Sequence, residues 1–253
     1  MNIDHRFKGQ IAIVAGGARG IGGAIASRLA AEGARVAILD INQEALRRQV
    51  EEINRQGNQA FGFDLDLTDQ EALVECLQTV FNWHQRIDVL VNCVGIIGPT
   101  GMSIVDYPLD QFELVMKVNV NSAFLLTKYT IPYMQSRMYG RILHVASIGG
   151  KDGNPNMVGY AASKSGLIGL IKGVGKEFAQ SGITINGLAP AVIVTEMNKD
   201  TAPEVLNYMK DKIPMKRLGT VEEAAAISCW IVSQEASFNT GFVFDLSGGR
   251  AVY

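Results

Sequence analysis

The amino-acid sequence predicts a doubly wound α/β fold, in which helices cover both faces of a parallel sheet. Seven short runs of apolar, often β-branched residues are apolar at consecutive positions rather than at alternate ones, which is typical of strands that are buried on both faces. Segments of roughly 10–20 residues with helical periodicity separate these runs, and this alternation favours βαβ units. The predicted sheet therefore has seven parallel strands.

The predicted strands are residues 11–14, 36–40, 60–64, 89–92, 141–145, 184–188 and 242–245. The first predicted helix covers residues 21–32, and two long helices are predicted over residues 111–134 and 160–178. No linker, repeat or low-complexity stretch divides the chain, so residues 1–253 are predicted to form a single domain. Ligands of such folds lie at the carboxyl ends of the strands, and we therefore expect the functional residues directly after these runs.

The composition argues against several classes of function. The 253 residues include 19% charged residues and carry a net charge of -2, with a pI of about 6.0, which argues against a nucleic-acid or anionic-membrane surface. No stretch reaches the roughly 18 uninterrupted apolar residues of a membrane helix, and the first residues lack the apolar core of a signal peptide. The three cysteines form no CxxC pair and the histidines show no metal-ligand spacing. We expect a soluble, cytoplasmic protein without a metal.

A glycine-rich loop follows the first predicted strand and leads into the first helix. Gly16, Gly20 and Gly22 allow a tight turn and a close approach of the helix amino terminus to a pyrophosphate. The second strand ends at Asp40, 18 residues after Gly22, near the roughly 20 residues expected for an acid that binds the adenosine ribose. The sequence therefore predicts a dinucleotide site, whose further members near these two strands are Arg19, Ile21 and Ile41.

The charges of this site favour NAD over NADP. The Asp40 carboxylate is expected to accept hydrogen bonds from both ribose hydroxyls and to repel a 2′-phosphate. Arg19 is a counter-signal, because a cation in the glycine loop could bind that phosphate. A charge inside the ribose pocket should outweigh a charge at its rim, so we predict NAD as the cofactor.

Further candidates follow the third and fourth strands. Asp66 and Leu67 come after the third strand and are predicted to contact the adenine. The fourth strand ends in a segment that includes Asn92 and Gly95, which we also assign to the cofactor site.

A serine, a tyrosine and a lysine follow the fifth strand. Ser147 precedes Tyr160 by 13 residues, and Lys164 lies four residues after Tyr160 on one predicted helix, so the last two side chains face the same way. A free tyrosine has a pKa near 10, and a fixed ammonium together with an oxidised nicotinamide is expected to lower that pKa. Ser147 is then expected to hold the substrate oxygen while Tyr160 exchanges its proton.

The motifs described above, and their order along the chain, resemble those of the short-chain dehydrogenase/reductase family of the Tyr-x-x-x-Lys type. The resemblance covers nearly the whole chain. The resemblance implies a Rossmann fold and a catalytic set of Asn119, Ser147, Tyr160 and Lys164. In the family, Asn119 would hold a water that relays protons from Lys164, which also binds the cofactor ribose. The segment that starts at Pro190 would cover the nicotinamide, and its Ile193 and Thr195 would meet the carboxamide.

Three positions depart from the family's pattern. Ala15 replaces a threonine before the glycine loop, residues 92–95 read Asn-Cys-Val-Gly instead of Asn-Asn-Ala-Gly, and Ala191 replaces a glycine. The hydroxyl of the missing threonine usually braces the neighbouring turn, and losing such a hydrogen bond costs about 0.5–1.5 kcal/mol. We interpret Cys93 as a small buried hydrophobe and His144 as a core histidine with its hydrogen bonds satisfied.

The segment between Ser147 and Tyr160 is polar and is predicted to line the substrate pocket. A pocket that recognises hydroxyl groups needs such donors and acceptors. The candidate substrate contacts are Lys151, Asn154, Met157 and Arg250. Lys151 or Arg250 could bind a carboxylate, although Arg250 could equally be an ordinary solvated residue of the tail. Residues 196–216 are predicted to form a substrate lid.

The segments 146–156 and 244–253 are similar to those of the branch that oxidises sugar acids, such as the 2-keto-3-deoxy-L-rhamnonate and -L-fuconate 4-dehydrogenases. Within the family, a 3-oxoacyl-thioester (acyl carrier protein) reductase is the alternative, but it would normally use NADPH, which Asp40 disfavours. A non-catalytic NAD-sensing regulator would be expected to lack the tyrosine–lysine pair, and both residues are present. The resemblance further implies a homotetramer.

Overall fold

The structure, a computed structural model, describes residues 5–195 and 203–251, and a parallel sheet lies at its centre. The strands are β1 (Ile11–Ala15), β2 (Arg35–Asp40), β3 (Gln59–Asp64), β4 (Val89–Asn92), β5 (Gly140–Val145), β6 (Ile183–Pro190) and β7 (Val243–Leu246). They are arranged in the order β3-β2-β1-β4-β5-β6-β7, and every neighbouring pair is parallel. The predicted seven-stranded parallel sheet is confirmed, with strand ends that differ by one or two residues.

The strand order reverses between β1 and β4, and this reversal places the site. The chain starts at β1, moves outwards to β3 and returns to pair β4 with the other side of β1, with Ala15 opposite Asn92. The connections after β1 and β4 therefore diverge to opposite faces and leave a crevice at the carboxyl ends of these two strands.

Helices cover both faces of the sheet. They are α1 (Gly20–Ala31), α2 (Gln43–Arg55), α3 (Gln70–His84), α4 (Leu109–Met116), α5 (Ser122–Gln135), α6 (Gly149–Asp152), α7 (Val158–Glu177), α8 (Pro203–Asp211) and α9 (Val221–Ile231). In the described part of the chain, none of these helices combines the length and the apolar character that crossing a bilayer requires.

Two buried clusters explain why the strands are apolar at consecutive positions. In β1, Ala12 and Val14 belong to a cluster that includes residues of α1 and α9. Ile11 and Ile13 belong to a second cluster on the other face, which includes residues of α3 and α5. Because successive side chains of a strand point to opposite faces, both sets must be apolar in a sheet that is covered on both sides.

The helix predicted over residues 111–134 was wrong in one respect, since it is not continuous. A turn of π-helix, Lys117–Asn121, separates α4 from α5. This turn reads Lys-Val-Asn-Val-Asn, and valine and asparagine are both weak helix formers. The fully buried Asn119 lies in the middle of the turn and bonds to groups outside the helix. Local propensity and these tertiary bonds together account for the interruption.

Candidate active site

The glycine loop after β1 forms an open cradle. Gly16 has a φ of +69°, and a Cβ on it would lie 3.1 Å from main-chain atoms of Cys93 and Val94. A Cβ on Gly22 would overlap the carbonyl oxygen of Gly16. Arg19, at the start of α1, makes no side-chain capping bond, so the first N–H groups of this helix can face a phosphate. Only glycine allows this close backbone packing, and the cradle fits a pyrophosphate.

Main-chain bonds that need no side chain at position 15 hold the turn after β1. The N–H of Cys93 donates to the carbonyl of Ala15 over 2.8 Å, and that of Gly16 donates to Leu39 over 2.7 Å. Cys93 packs against the core, and burial raises the pKa of its thiol to about 12. These facts agree with the interpretation of Cys93 as a small hydrophobe.

Asp40 lies at the end of β2, beside the glycine loop. One carboxylate oxygen accepts a hydrogen bond from the N–H of Ala18 in the loop over 3.0 Å, and the other accepts from the N–H of Asn42 over 2.9 Å. The neighbouring Ile41 side chain is 70% exposed, and Arg19 is exposed at the start of α1. The carboxylate is thus held in a fixed position near the loop, where an adenosine ribose would be recognised.

The two residues after β3 differ in their surroundings. Asp66 accepts a hydrogen bond from the N–H of Thr68 over 2.8 Å. Leu67 is 5% exposed and packs into the core cluster of α3 and α5. Its side chain therefore supports the fold, and a contact of either residue with adenine stays a prediction.

Asn92, at the end of β4, belongs to a buried network. Its Nδ2 lies 3.2 Å from Nδ1 of His144, whose Nε2 lies 3.0 Å from Oγ1 of Thr127. Its Oδ1 accepts from the N–H of Val94 over 3.0 Å. Burial lowers the pKa of His144 to about 3, so the ring is neutral and can donate at one nitrogen and accept at the other. His144 is a satisfied core histidine, as predicted. Asn92 supports the loop of residues 92–95, and its direct contact with a cofactor stays a prediction.

The structure brings Ser147, Tyr160 and Lys164 together. Ser147 Oγ and Tyr160 Cε1 lie within 3.5 Å of the point that a Cβ on Gly149 would occupy. Ser147 Oγ accepts from the N–H of Gly149 over 3.0 Å, and it is close enough to the Tyr160 phenol to affect its pKa. Lys164 is buried, and its Nζ donates to the carbonyl of Val145 over 2.9 Å and lies 5.8 Å from the centre of the Tyr160 ring.

Burial dominates the electrostatics of this group in the free protein. Burial raises the pKa of Tyr160, while the hydrogen bond with Ser147 acts in the opposite direction. Burial also lowers the pKa of Lys164 to about 8. Desolvation of the phenol is therefore the largest effect in the free protein. The lowering of the tyrosine pKa by Lys164 together with an oxidised nicotinamide concerns the complex with NAD+ and stays a prediction.

Asn119 lies in the π-helical turn and joins three parts of the site. Its Oδ1 accepts from the N–H of Ile96, and its Nδ2 donates to the carbonyl of Ile96 and to Ser163 Oγ, all within 2.9 Å. A Cβ on Gly95 would lie 3.1 Å from Lys164 Nζ and 3.2 Å from Asn119 Oδ1. The sequence analysis missed Ser163, although it lies directly before Lys164. Asn119 fixes the loop after β4 against α7, and its role in a proton relay stays a prediction.

The segment predicted to cover the nicotinamide begins at Pro190, the last residue of β6. Ile193 is buried and forms a parallel bridge with Gly219. The side chain of Thr195 lies 3.6 Å from the position of a Cβ on Gly20. This segment therefore lies next to the glycine loop, and its contact with a nicotinamide stays a prediction.

The candidate cations of the substrate wall are both paired with carboxylates. Lys151 Nζ donates to both carboxylate oxygens of Asp245, over 2.8 and 3.0 Å. Arg250 Nε donates to a carboxylate oxygen of Asp152 over 3.2 Å, and its Nη2 donates to Asn154 Oδ1 over 3.1 Å. Arg250 is thus not a solvated tail residue, and neither cation is poised as a simple carboxylate ligand. The sequence analysis missed Asp245, although its place on β7 was a usable signal.

The remaining substrate candidates lie at the start of α7 or outside the described residues. Met157 is half-buried and directly precedes α7. Residues 196–202 of the predicted lid lie outside the described part of the chain. Its other end is anchored, because the N–H of Met215 donates to the carbonyl of Gly248 over 3.1 Å and Ile213 is buried. The lid itself stays a prediction.

Comparisons with known proteins agree with this geometry. A family model described as Enoyl-(Acyl carrier protein) reductase matches residues 16–250. The chain is 40% identical over 248 residues to 2-dehydro-3-deoxy-L-rhamnonate dehydrogenase (NAD(+)) of Sphingomonas sp. strain SKA58, covering 98% of each chain. It is 35% identical to a 3-oxoacyl-[acyl-carrier-protein] reductase of Aquifex aeolicus, covering 98% of this chain and 99% of that protein.

The solved structures point to the same family. NAD+-bound xylitol dehydrogenase has a TM-score of 0.91 and 31% identity, covering 96% of this chain and 99% of the other. A 3-oxoacyl-[acyl-carrier protein] reductase from Brucella melitensis has a TM-score of 0.92 and 32% identity, covering 99% and 95%. The chain belongs to the short-chain dehydrogenase/reductase family and is an oxidoreductase that acts on CH–OH groups.

Proposed function

We propose that this protein is an NAD(H)-dependent dehydrogenase that oxidises a secondary alcohol of a 2-keto-3-deoxy sugar acid. The observation that carries the proposed chemistry is the meeting of Ser147 and Tyr160 over Gly149, next to the buried Lys164. A hydroxyl that can donate to the substrate oxygen, a phenol that exchanges a proton and a buried ammonium are what the oxidation of a CH–OH group needs.

Two observations support the choice of cofactor and substrate. The Asp40 carboxylate is fixed beside the glycine loop by Ala18 and Asn42, where it would bind ribose hydroxyls and repel a 2′-phosphate. A relative with 40% identity over nearly the whole chain is named as an NAD(+)-dependent dehydrogenase of a 2-dehydro-3-deoxy sugar acid. The polar segment that precedes Tyr160 suits such a hydroxylated substrate.

The chain's own residues divide the work as follows. The glycine loop and Asp40 would hold the pyrophosphate and the ribose, and the bound nicotinamide supplies the hydride acceptor. Ser147 holds the substrate oxygen by a hydrogen bond, and Tyr160 takes the hydroxyl proton at that oxygen. Lys164 keeps a positive charge near the phenol, and together with the charge of a bound oxidised nicotinamide it would favour the ionised form. Asn119 ties the loop after β4 to α7 through hydrogen bonds, and these bonds keep Lys164 in place.

We further propose that the protein works as a cytoplasmic homotetramer. Leu114 on α4 and Phe124 on α5 are exposed, and no described atom outside the helix lies within 4 Å of where a Cβ would stand on Gly169 or Gly173 of α7. These helix faces are suited to close contact with helices of another subunit. Light scattering of the purified protein tests the subunit number directly.

A 3-oxoacyl-thioester reductase is the second candidate, because relatives with 35% identity carry that name. An absorbance assay at the NADH band separates the two. We expect NADH production from NAD+ with 2-keto-3-deoxy-L-rhamnonate, and little consumption of NADPH with acetoacetyl-CoA. The reverse result would reject both the sugar-acid substrate and the NAD assignment.

The Tyr160→Phe variant tests the chemistry. A protein that only sensed NAD would show no turnover for this substitution to remove. The variant should lose turnover by a factor of about 10²–10⁴, the usual contribution of a general acid–base group, while NADH binding measured by fluorescence stays nearly unchanged. Tyr133→Phe is the matched control, because its hydroxyl bonds to Gln78 between α5 and α3, away from the site. Near-normal turnover by Tyr160→Phe would reject the mechanism.

A further inference from the structure

The carboxyl-terminal segment reaches back to the substrate wall. After β7, the N–H of Arg250 donates to the carbonyl of Ser247, and the N–H of Ala251 donates to Ser247 Oγ, both over 3.2 Å. This turn directs the Arg250 side chain towards the residues between α6 and α7, where it is 14% exposed. Arg250 is therefore fixed at its main chain and enclosed at its side chain.

Arg250 determines which way the Asn154 amide faces. A guanidinium has only donors, so the atom of Asn154 that lies 3.1 Å from it must be the amide oxygen. Asp152 holds the same guanidinium at 3.2 Å and prevents it from turning away. The Nδ2 donors of Asn154 consequently point away from the guanidinium.

The Nδ2 donors of Asn154 face the end of the pocket where Ser147 and Tyr160 lie. Asn154 Nδ2 lies 2.9 Å from the point that a Cβ on Gly149 would occupy, the same point that has Ser147 Oγ and Tyr160 Cε1 within 3.5 Å. Any side chain at position 149 would displace the amide. The glycine thus leaves an N–H donor on the side of the pocket that Ser147 Oγ and the Tyr160 ring line.

We propose that Asn154 donates a hydrogen bond to a substrate oxygen on the carbon next to the reacting one, and that Arg250 is the positioning residue that keeps the amide in this orientation. The proposal rests on the proposed dehydrogenase activity. It gives Arg250 a different role from the carboxylate ligand that the sequence suggests. It also makes the enzyme selective for alcohols with a neighbouring oxygen, because a site built to hydrogen-bond an oxygen discriminates against analogues that lack it.

The test compares kcat/KM for 2,3-butanediol with that for 2-butanol, which differ only in the neighbouring hydroxyl. In Asn154→Ala the preference for the diol should fall about tenfold, because kcat/KM should fall more for the diol than for 2-butanol. Asn154→Asp keeps an oxygen that accepts from Arg250 but replaces the Nδ2 donor with a second acceptor. This variant should therefore lose the preference for the diol, while its melting temperature is retained. Arg47→Ala, an exposed arginine on α2 paired with Glu51, is the matched control and should keep the preference.

A double-mutant cycle tests the role of Arg250. Arg250→Ala should lose a similar share of the diol preference, and adding it to Asn154→Ala should cause no further loss, because Arg250 acts through Asn154. An unchanged preference in Asn154→Ala, equal losses on both alcohols in Arg250→Ala, or independent losses that multiply in the double variant would each overturn the proposal.

The sugar-acid assay separates this inference from the proposed function. If the wild-type enzyme oxidises 2,3-butanediol with the expected dependence on Asn154 but leaves the sugar acid unchanged, the inference stands and the proposed substrate is wrong. If Asn154→Ala oxidises the sugar acid as well as the wild type does, the proposed function stands and the inference is wrong.

Discussion

At the scale of single residues, Lys164 shows what sequence spacing can and cannot predict. Its distance of four residues from Tyr160 places both side chains on one face of α7, and the structure confirms that they meet. The spacing does not reveal that Lys164 is buried and donates to the Val145 carbonyl. Burial depends on how β5, α7 and the loop after β4 pack, which is a tertiary property. The lowered pKa of Lys164 and the raised pKa of Tyr160 therefore could not be predicted from the sequence.

The burial of Lys164 predicts a pH-dependent stability in the cofactor-free protein. Its pKa in the folded state is about 8, below the ordinary value of 10.5. Between these values the unfolded chain binds more protons than the folded one, so this lysine makes stability rise with pH. The free energy of unfolding of the wild type minus that of Lys164→Met should be flat below about pH 7 and rise from pH 8 to 10. Urea denaturation at pH 7, 8, 9 and 10 measures this difference.

Lys172→Met is the control for this experiment. Lys172 lies on the same helix but is exposed, so its ammonium is hydrated in both states and its removal should give no such rise. A difference between wild type and Lys164→Met that stays flat from pH 8 to 10 would contradict the burial of a charged lysine.

At the scale of elements, the strands were easier to predict than the catalytic helices. Strands buried on both faces give continuous apolar runs, and all seven were found in the sequence. The interruption of the predicted long helix at Lys117–Asn121 depends on bonds from Asn119 to Ile96 and Ser163, which are 23 and 44 residues away. Such bonds join distant segments and leave no periodic signal. The pairing of Arg250 with Asn154 was missed for the same reason.

The contact between α6 and α7 predicts that Gly150 cannot be replaced without a loss of activity. A Cβ on Gly150 would lie 2.7 Å from the carbonyl carbon and 2.8 Å from the Cβ of Lys164. Gly150→Ala must therefore push α6 away from α7, which should cost about 1–3 kcal/mol of unfolding free energy and lower kcat/KM. Chemical denaturation and steady-state kinetics measure the two effects.

Gly23→Ala is the matched helical control for this prediction. The nearest atom to its Cβ would be Gln49 Oε1, at 3.4 Å, which is an ordinary contact. An alanine in a helix that has room for it stabilises by about 0.4–1 kcal/mol. The close-packing argument would be refuted if Gly150→Ala were as stable and as active as Gly23→Ala.

At the scale of the whole molecule, the amino-terminal and carboxyl-terminal halves of the chain line the same crevice. The amino-terminal half supplies the glycine loop after β1 and Asp40 after β2, on one side of the reversal in strand order. The carboxyl-terminal half supplies Tyr160 and Lys164, and the segment after β7 holds the substrate wall through Arg250. A ligand that spans the crevice contacts both halves. Its binding should therefore stabilise the molecule as a whole, since it binds the folded state alone.

This stabilisation gives a measure of cofactor choice that does not require a known substrate. At 100 times its Kd, NADH should add about 2.7 kcal/mol to the free energy of unfolding, which corresponds to a rise in Tm of roughly 5–10 °C for a chain of this size. NADPH at the same concentration should raise the Tm much less, because the Asp40 carboxylate is held beside the glycine loop by Ala18 and Asn42 and repels a 2′-phosphate. Asp40→Asn removes the charge and should bring the two shifts closer together, whereas Asp110→Asn, on α4, should not. Differential scanning calorimetry with each cofactor measures these shifts, and a wild-type protein stabilised more by NADPH than by NADH would show that a cation such as Arg19 dominates the ribose site instead.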